Sequence, residues 1–294
     1  MRGNTVFVTC IYNNLYGTEL GGRNNRQHHY FHSLNNIIKK TPNSDFIIYT
    51  SPDEYEDIKL SFPYNNCKIQ QYDLNNNYFQ KEFDKYKDRK SAQTSDRCFE
   101  IQYSKFYWMY LALYDENIYK NIYWIDAGLS YSGLIPDKYL ECKGLSWGGD
   151  DYYKSELFND KFTSNLNKFT KSKILFIAKE NMKNFWSQEM VEYMDYDQQH
   201  HIIGGLFGGR RSKVLSMTAG LIPLIKAKIN EEKTIQWSEE QFMTLYYYLN
   251  KSRARIKTFD TWWHENNYAN AEEIPSDIYF SDKKSFYNIL EELQ

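Results

Sequence analysis

The segment 119–130, Tyr-Lys-Asn-Ile-Tyr-Trp-Ile-Asp-Ala-Gly-Leu-Ser, constrains the fold more than any other stretch of this chain. Its apolar residues Ile122 to Ile125 stop abruptly at Asp126, which is followed by the small pair Ala127-Gly128. A run this short and this apolar reads as a strand buried on both faces of a parallel sheet. An acid at its carboxyl end falls where open α/β sheets bind their ligands. The small residues beyond it leave room for a bulky anionic ligand, or a metal that the ligand carries, to approach the backbone. The plainer reading is an Asp that caps the next turn, so the rest of the chain has to decide between them.

The pattern before Asp126 supports the sheet. A first strand is expected over 5–11, followed by a polar, glycine-containing loop over 12–26. An amphipathic helix follows, with Tyr30, Phe31, Leu34, Ile37 and Ile38 on one face, Lys39 and Lys40 at its carboxyl end and Pro42 beyond. DFIIYT at 45–50 reads as the second strand, and Ser51-Pro52-Asp53-Glu54 as the start of a short helix. A third strand is expected over 68–72, and 73–100 reads as a long loop or helical insertion. Tyr103, Phe106, Tyr110 and Leu113 then keep helical spacing up to the Asp126 strand. This β-α-β-α-β-α-β order predicts an α/β fold with a mostly parallel, Rossmann-like central sheet flanked by helices. Further on, 151–172 is expected to be helical and 174–178 a strand. Helices are expected over 212–229 and 238–249, and a last strand over 255–259. No repeat, low-complexity tract or Gly/Ser/Pro-rich linker divides the chain, so 1–294 reads as one domain.

Charge and cysteine usage exclude several classes. With a net charge of −2 there is no global basic field for nucleic acid or an anionic membrane. Cys10, Cys67, Cys98 and Cys142 are widely spaced without a CxxC pair, which predicts reduced buried thiols and neither a disulfide framework nor a zinc site. Met1-Arg2-Gly3-Asn4 runs straight into a strand without a signal peptide, and no apolar run approaches the roughly 20 residues that span a bilayer. The expectation is a soluble cytoplasmic protein with, at most, peripheral contact at the inner face of the membrane. The 27 Tyr and 7 Trp supply flat apolar faces with a polar handle, of the kind sugar-binding clefts use.

Several groups have both a chemical and a plain reading. Gly204-Gly205-Leu206-Phe207-Gly208-Gly209 matches neither GxGxxG nor a Walker loop, so neither a dinucleotide nor an ATP P-loop is indicated. The paired glycines suggest a strand edge that a ligand can approach closely, or else a hairpin-like turn. Arg210 and Arg211 add charge at the start of the next helix. Arg23 and Arg26, in the loop after the first strand, offer a bidentate fork for phosphate oxygens or are simply solvated. Lys105 either reaches a ligand's ribose or phosphates, or sits on the surface of an amphipathic helix. Glu239 and Glu240 open a helix, where acids commonly serve the macrodipole. Trp262 and Trp263 read as stacking platforms or core. His28, His29 and His32 form HHxxxH on a lysine-bearing helix, which is not the HExxH of a metal site.

The order of these segments resembles the nucleotide-sugar glycosyltransferases of the type A fold. More narrowly, VTCIYNN, the Arg-containing segment before the first helix, FIIYTS, YSKFYWM, YWIDAGLS, GGLFGG, SEEQF and TWWHE resemble the HtrL/YibB family of bacterial glycosyltransferase-like proteins. The resemblance implies a nucleotide-sugar-binding half over about 1–130 and an acceptor-binding half over about 131–294. It implies transfer of a hexose from a nucleoside-diphosphate donor, UDP foremost, to a hydroxyl of a surface glycan such as lipopolysaccharide, O-antigen or capsule, free or lipid-linked. Asp126 takes the place of the DxD motif, whose acids hold Mn²⁺ or Mg²⁺ on the donor diphosphate. Gly128 stands where the second acid would be, so the ion would be shared by Asp126 and another residue, with His264 the leading candidate. The alternative is a metal-independent enzyme that uses cations instead. By the same resemblance Thr9 and Tyr12 face the nucleotide base. Arg23, Arg26, Lys105, Gly128, Gly204 and Gly205 complete the donor-binding set. Inverting transfer, slightly favoured, needs a carboxylate to take the acceptor's proton; Glu240 is the first candidate and Glu239 the reserve. Two other classes stay open: a nucleotidyltransferase or sugar-phosphate enzyme, and a non-catalytic sugar-binding protein. The former would want a glycine-rich basic loop after the first strand, where this chain carries Asn and Tyr.

Overall fold

The computed structural model describes residues 4–12, 26–86, 98–115, 119–129, 158–179, 202, 204–233, 235, 237–250 and 253–259. In chain order these form β1 (Thr5–Cys10), α1 (Arg26–Lys40), β2 (Asp45–Thr50), α2 (Tyr55–Ser61), β3 (Cys67–Gln71), α3 (Gln80–Lys85), α4 (Cys98–Ala112) and β4 (Asn121–Ile125). They continue with α5 (Asp160–Phe169), β5 (Ile174–Lys179), β6 (Leu206–Arg210), α6 (Arg211–Glu232), α7 (Glu239–Leu249) and β7 (Ala254–Phe259). All seven strands join one sheet in the order β3-β2-β1-β4-β6-β5-β7. β1, β2, β3 and β4 pair in parallel, β5 pairs in parallel with β7, and β6 alone runs against both its neighbours. The architecture is therefore the expected one, α/β with a mostly parallel central sheet flanked by helices.

Strand alternation sorts the core into two layers. Val6, Val8, Ile47, Tyr49, Ile122, Trp124 and Phe207 face one side, where α4, α6 and α7 cover them. Phe7, Phe46, Ile48, Tyr123, Ile125 and Leu206 face the other, covered by Leu34, Ile37 and Ile38 of α1, Ile58 of α2 and Phe162 and Leu166 of α5. This is the period-two pattern of strands buried on both faces. α4 is apolar around most of its circumference because it touches the sheet as well as α6 and α7. On its layer a row of rings crosses the sheet: Trp108 stacks on Tyr12, Tyr49 and Trp124, and Trp124 on Phe207. Much of the chain's aromatic content thus builds core instead of a sugar-binding face.

The glycine-rich segment differs from the expectation of a strand edge or hairpin. Gly208 and Gly209 lie inside β6, an interior strand, with Gly208 at φ +139°. A Cβ on Gly208 would stand 2.4 Å from the Ile122 carbonyl oxygen and 2.7 Å from the Tyr123 Cα. What approaches this glycine is the backbone of β4, not a ligand. Gly208→Ala therefore combines a disfavoured φ with a clash against backbone that cannot move aside. It should cost about 3 kcal/mol or more of stability, read as a lower urea midpoint at unchanged m-value. Cys10 and Cys67 are free thiols, each only partly buried, and burial pushes both up out of the ordinary thiol range. The side chains of Cys98 and Cys142 lie outside the described residues.

Candidate active site

From β1 the chain crosses to β2 on one side, and later to β4 on the other. The crevice at the carboxyl ends of these two strands is the switch point at which open α/β sheets bind ligands. Asp126 follows β4 directly, and because β6 is reversed, its preceding Gly204-Gly205 arrives at the same end of the sheet. The amino end of α7 reaches the same place. At the start of that helix the Ser238 N–H donates to Gln241 Oε1 at 2.6 Å, which fixes where Glu239 and Glu240 begin.

Lys105 of α4 is the centre of the cluster. Its Nζ lies 2.7 Å from Glu239 Oε1 and 3.0 Å from Asp126 Oδ1, and it donates to the Gly204 carbonyl at 3.3 Å. The side chains of Lys105 and Glu239 are 7% and 6% exposed, while that of Asp126 is 42% exposed. Lys105 is thus not the solvated helix lysine of the plain reading. Burial alone would push its ammonium down, but Asp126 and Glu239 overcome this and hold it above the ordinary lysine range. Glu239 is pushed up by burial, with Lys105 opposing and Glu240 and Asp126 adding to the rise. The Trp124 indole also donates to Asp126 Oδ1, at 2.6 Å, and the Asp126 backbone N–H donates to the Gly205 carbonyl at 2.8 Å.

The glycines serve these carboxylates. A Cβ on Gly204 would stand 2.5 Å from Glu239 Oε1, so the absent side chain is what lets Glu239 lie against this backbone. The Gly204 N–H donates to Glu240 Oε1 at 3.0 Å, which orients a carboxylate that is only partly buried. Gly128 admits the ring of Tyr30, which a Cβ there would meet at 2.5 Å. That contact gives a physical reason for the missing second acid: the space beside residue 128 is filled by an aromatic ring from α1.

The other expected residues are placed as follows. Thr9 is fully buried at the end of β1, and its hydroxyl has no hydrogen-bond partner among the described residues. Tyr12 is buried on Trp108 and donates its hydroxyl to the Tyr72 carbonyl at 2.9 Å. Arg26 opens α1, but its side chain, like all of Arg23, Trp262, Trp263 and His264, lies outside the described residues. Of the HHxxxH group only the side chain of His32 is described. The structure brings Lys105, Asp126, Gly204, Gly205, Glu239 and Glu240 together. The sequence reading did not anticipate Trp124 and Tyr30 as the neighbours that set Asp126 and Gly128.

Among the described residues both close contacts to the Asp126 carboxylate fall on Oδ1, leaving Oδ2 of a half-exposed side chain for a ligand. Among the described residues no three His, Cys, Asp or Glu side chains converge as a metal cage. Mg²⁺ and similar ions bound with phosphates commonly use one or two carboxylates and take their other ligands from phosphate and water. Asp126 fits that donor set. The Lys105 charge is taken up by Asp126 and Glu239, so a diphosphate here would need a further cation.

No protein-family model and no curated protein sequence matches this chain. Among solved structures it is similar to mouse xyloside xylosyltransferase 1 in its apo form, at 10% identity over 90% of each chain with a TM-score of 0.45. It is similar also to a putative nucleotide-diphospho-sugar transferase of Desulfovibrio desulfuricans, at 10% identity over 88% of this chain and 80% of that one, TM-score 0.42. A third is the galactosyltransferase LgtC in complex with donor and acceptor sugar analogues, at 8% identity over 85% of this chain and 72% of that one, TM-score 0.42. These likenesses concern the path of the chain and give no residue a role.

Proposed function

We propose that this protein is a glycosyltransferase of the type A fold, related to the HtrL/YibB family. It would move a hexose from a nucleoside-diphosphate donor, UDP foremost, to a hydroxyl of a surface-glycan acceptor, free or lipid-linked, at the cytoplasmic face of the membrane. The observation that carries this reading is the meeting of Asp126, Lys105, Glu239, Glu240 and Gly204 at the switch point of the sheet. On this proposal 1–294 is one domain, whose first half holds the donor and whose second half brings the acceptor.

In the reaction, the acceptor oxygen forms a bond to the anomeric carbon as the bond from that carbon to the diphosphate breaks. The acceptor's proton goes to Glu240, whose carboxylate Gly204 holds in orientation, and inversion follows from attack opposite the leaving group. Glu239, buried on Lys105, positions that ammonium and through it Asp126. On this proposal Thr9, Tyr12, Gly128 and Gly205 belong to the donor side of the crevice, and Arg23 and Arg26 meet the phosphates. Asp126 Oδ2, with His264 as a second protein ligand, would hold Mn²⁺ or Mg²⁺. When bound, that ion neutralises the charge building on the leaving diphosphate.

Incubation of the protein with a UDP-sugar panel, Mn²⁺ and glycan acceptors should release free UDP and a glycosylated product. Sugar or UDP binding without turnover would make the protein a non-catalytic binder, and release of sugar 1-phosphate, with the uridylyl group passed to another acceptor, would make it a nucleotidyltransferase. Glu240→Gln keeps size and removes basicity. It should lower kcat about a hundredfold with UDP affinity within about twofold of wild type. A product of retained anomeric configuration would remove the need for this base.

A further inference from the structure

At the other end of the sheet is a cleft of about 590 Å³ that the proposed transfer does not use. Its floor is the start of β4 and the end of β6, where Asn121 pairs with Arg210. Asn121 precedes Asp126 by five residues of extended chain, which places the cleft about 16 Å from the carboxylate cluster. Among the described residues five cations line it, Lys120, Lys168, Lys171, Arg210 and Arg211, and no Asp or Glu does. In a chain whose net charge is −2 this is a local concentration, not a share of a basic surface. Among the described residues none of the five makes an ion pair.

Three elements hold the charges in place. Lys168 and Lys171 come from the end of α5 and the turn after it, Lys120 precedes β4, and Arg210 and Arg211 join β6 to α6. The joint is fixed by the Arg211 N–H donating to the Lys120 carbonyl at 2.8 Å. Arg211 is half-buried, and its Nη1 is shut away from solvent with no hydrogen-bond partner among the described residues. A guanidinium nitrogen so placed is costly unless an acceptor satisfies it. The first turn of α6 carries no acid and Arg210 gives it no side-chain cap, so among the described residues no carboxylate offsets the positive end of that helix. The volume lies within the range of small-ligand sites.

We propose that this cleft binds a phosphate-bearing ligand, with Arg211 and Lys168 as its principal contacts and the hydroxyls of Ser164 and Ser212 as neutral donors. Guanidinium and ammonium groups from separate elements, converging without a carboxylate among the described residues, match the several oxygens of a phosphate or pyrophosphate. The site is independent of the glycosyltransferase reading and stands if that reading fails.

The probe is inorganic pyrophosphate, titrated calorimetrically into the full chain and into a Lys168→Glu/Lys171→Glu variant. Both lysines are exposed, so the fold should hold. Arg211→Gln is the second variant, checked for folding by circular dichroism. A parallel arm measures co-sedimentation with phosphatidylglycerol vesicles. The expected result is pyrophosphate binding that weakens at least tenfold in both variants, with vesicle binding equal in all three proteins. If vesicle binding falls instead, the phosphate belongs to a lipid headgroup and the site stands. If neither measurement differs between wild type and the two variants, there is no phosphate site here.

Discussion

Lys105→Met should lower the free energy of unfolding by about 3–5 kcal/mol, the usual cost of removing one partner of a buried ion pair. The methionine fills most of the lysine's volume, so the loss is electrostatic. Glu239 would be left 6% exposed without its counter-charge, and the Gly204 carbonyl would lose a donor. Asp126 would suffer less, because it is half-exposed and keeps the Trp124 indole. The sign of the pH dependence follows from Glu239, which burial already pushes up and which would rise further once Lys105 is gone. A raised carboxyl makes the folded state lose ground as pH climbs above the unfolded value near about 4.3. The gap between variant and wild type should therefore be large at about pH 8 and narrow towards about pH 4, where Glu239 takes a proton instead of remaining a buried anion. Urea melts at both pH values measure it. The double variant Lys105→Met/Glu239→Leu should recover much of the loss. A single variant within about 1 kcal/mol of wild type, or a double variant no more stable than the single, would mean the pair does not hold this site together.

The fold was legible in this sequence where burial on both faces leaves an unbroken apolar run. β2 is expected over 45–50 and found at Asp45–Thr50, and the 174–178 run becomes Ile174–Lys179. Such runs carry their own signature because each residue meets core whichever way it points. Asp126 was legible for the same reason, as the place where the run stops. The role of Lys105 was less so. A signal was present: α4 reads CFEIQYSKFYWMYLA, and a lone cation at the middle of a helix otherwise rich in large apolar residues implies a buried partner. Which partner could not be read, because Glu239 lies 134 residues further on and only the packing of α7 against α4 brings it there. The glycines show the same boundary. Their pairing announces close approach, but not that Glu239 fills the space at Gly204, Tyr30 at Gly128 and β4 at Gly208. Close approach of backbone to a neighbour is one sequence pattern whether the neighbour is a ligand or the protein itself.

Asp126→Asn should reduce sugar transfer about a hundredfold or more while changing stability by less than about 1 kcal/mol. The amide is chosen over alanine because of Trp124. Its indole N–H donates to Asp126 Oδ1 from a side chain that is otherwise sealed in the core, and alanine would orphan that donor at about 1–3 kcal/mol. Asparagine keeps an oxygen in that place for both the indole and Lys105. What it removes is the negative charge at the exposed side of the group, where Oδ2 would meet the ion on the donor diphosphate. A carboxylate-to-amide change at a single metal anchor removes several kcal/mol of transition-state stabilisation, which corresponds to the hundredfold or greater loss in rate. Two measurements keep this separate from a structural effect. The urea midpoint of Asp126→Asn should match wild type, and the dependence of UDP affinity on Mn²⁺ should flatten in the variant. If the rate falls but Mn²⁺ dependence is unchanged, Asp126 acts by placing Lys105 and the enzyme relies on its cations. If rate and metal dependence both survive, the centre of transfer lies elsewhere in the crevice, and the carboxylate–lysine cluster serves only to tie α4 and α7 to the end of β4.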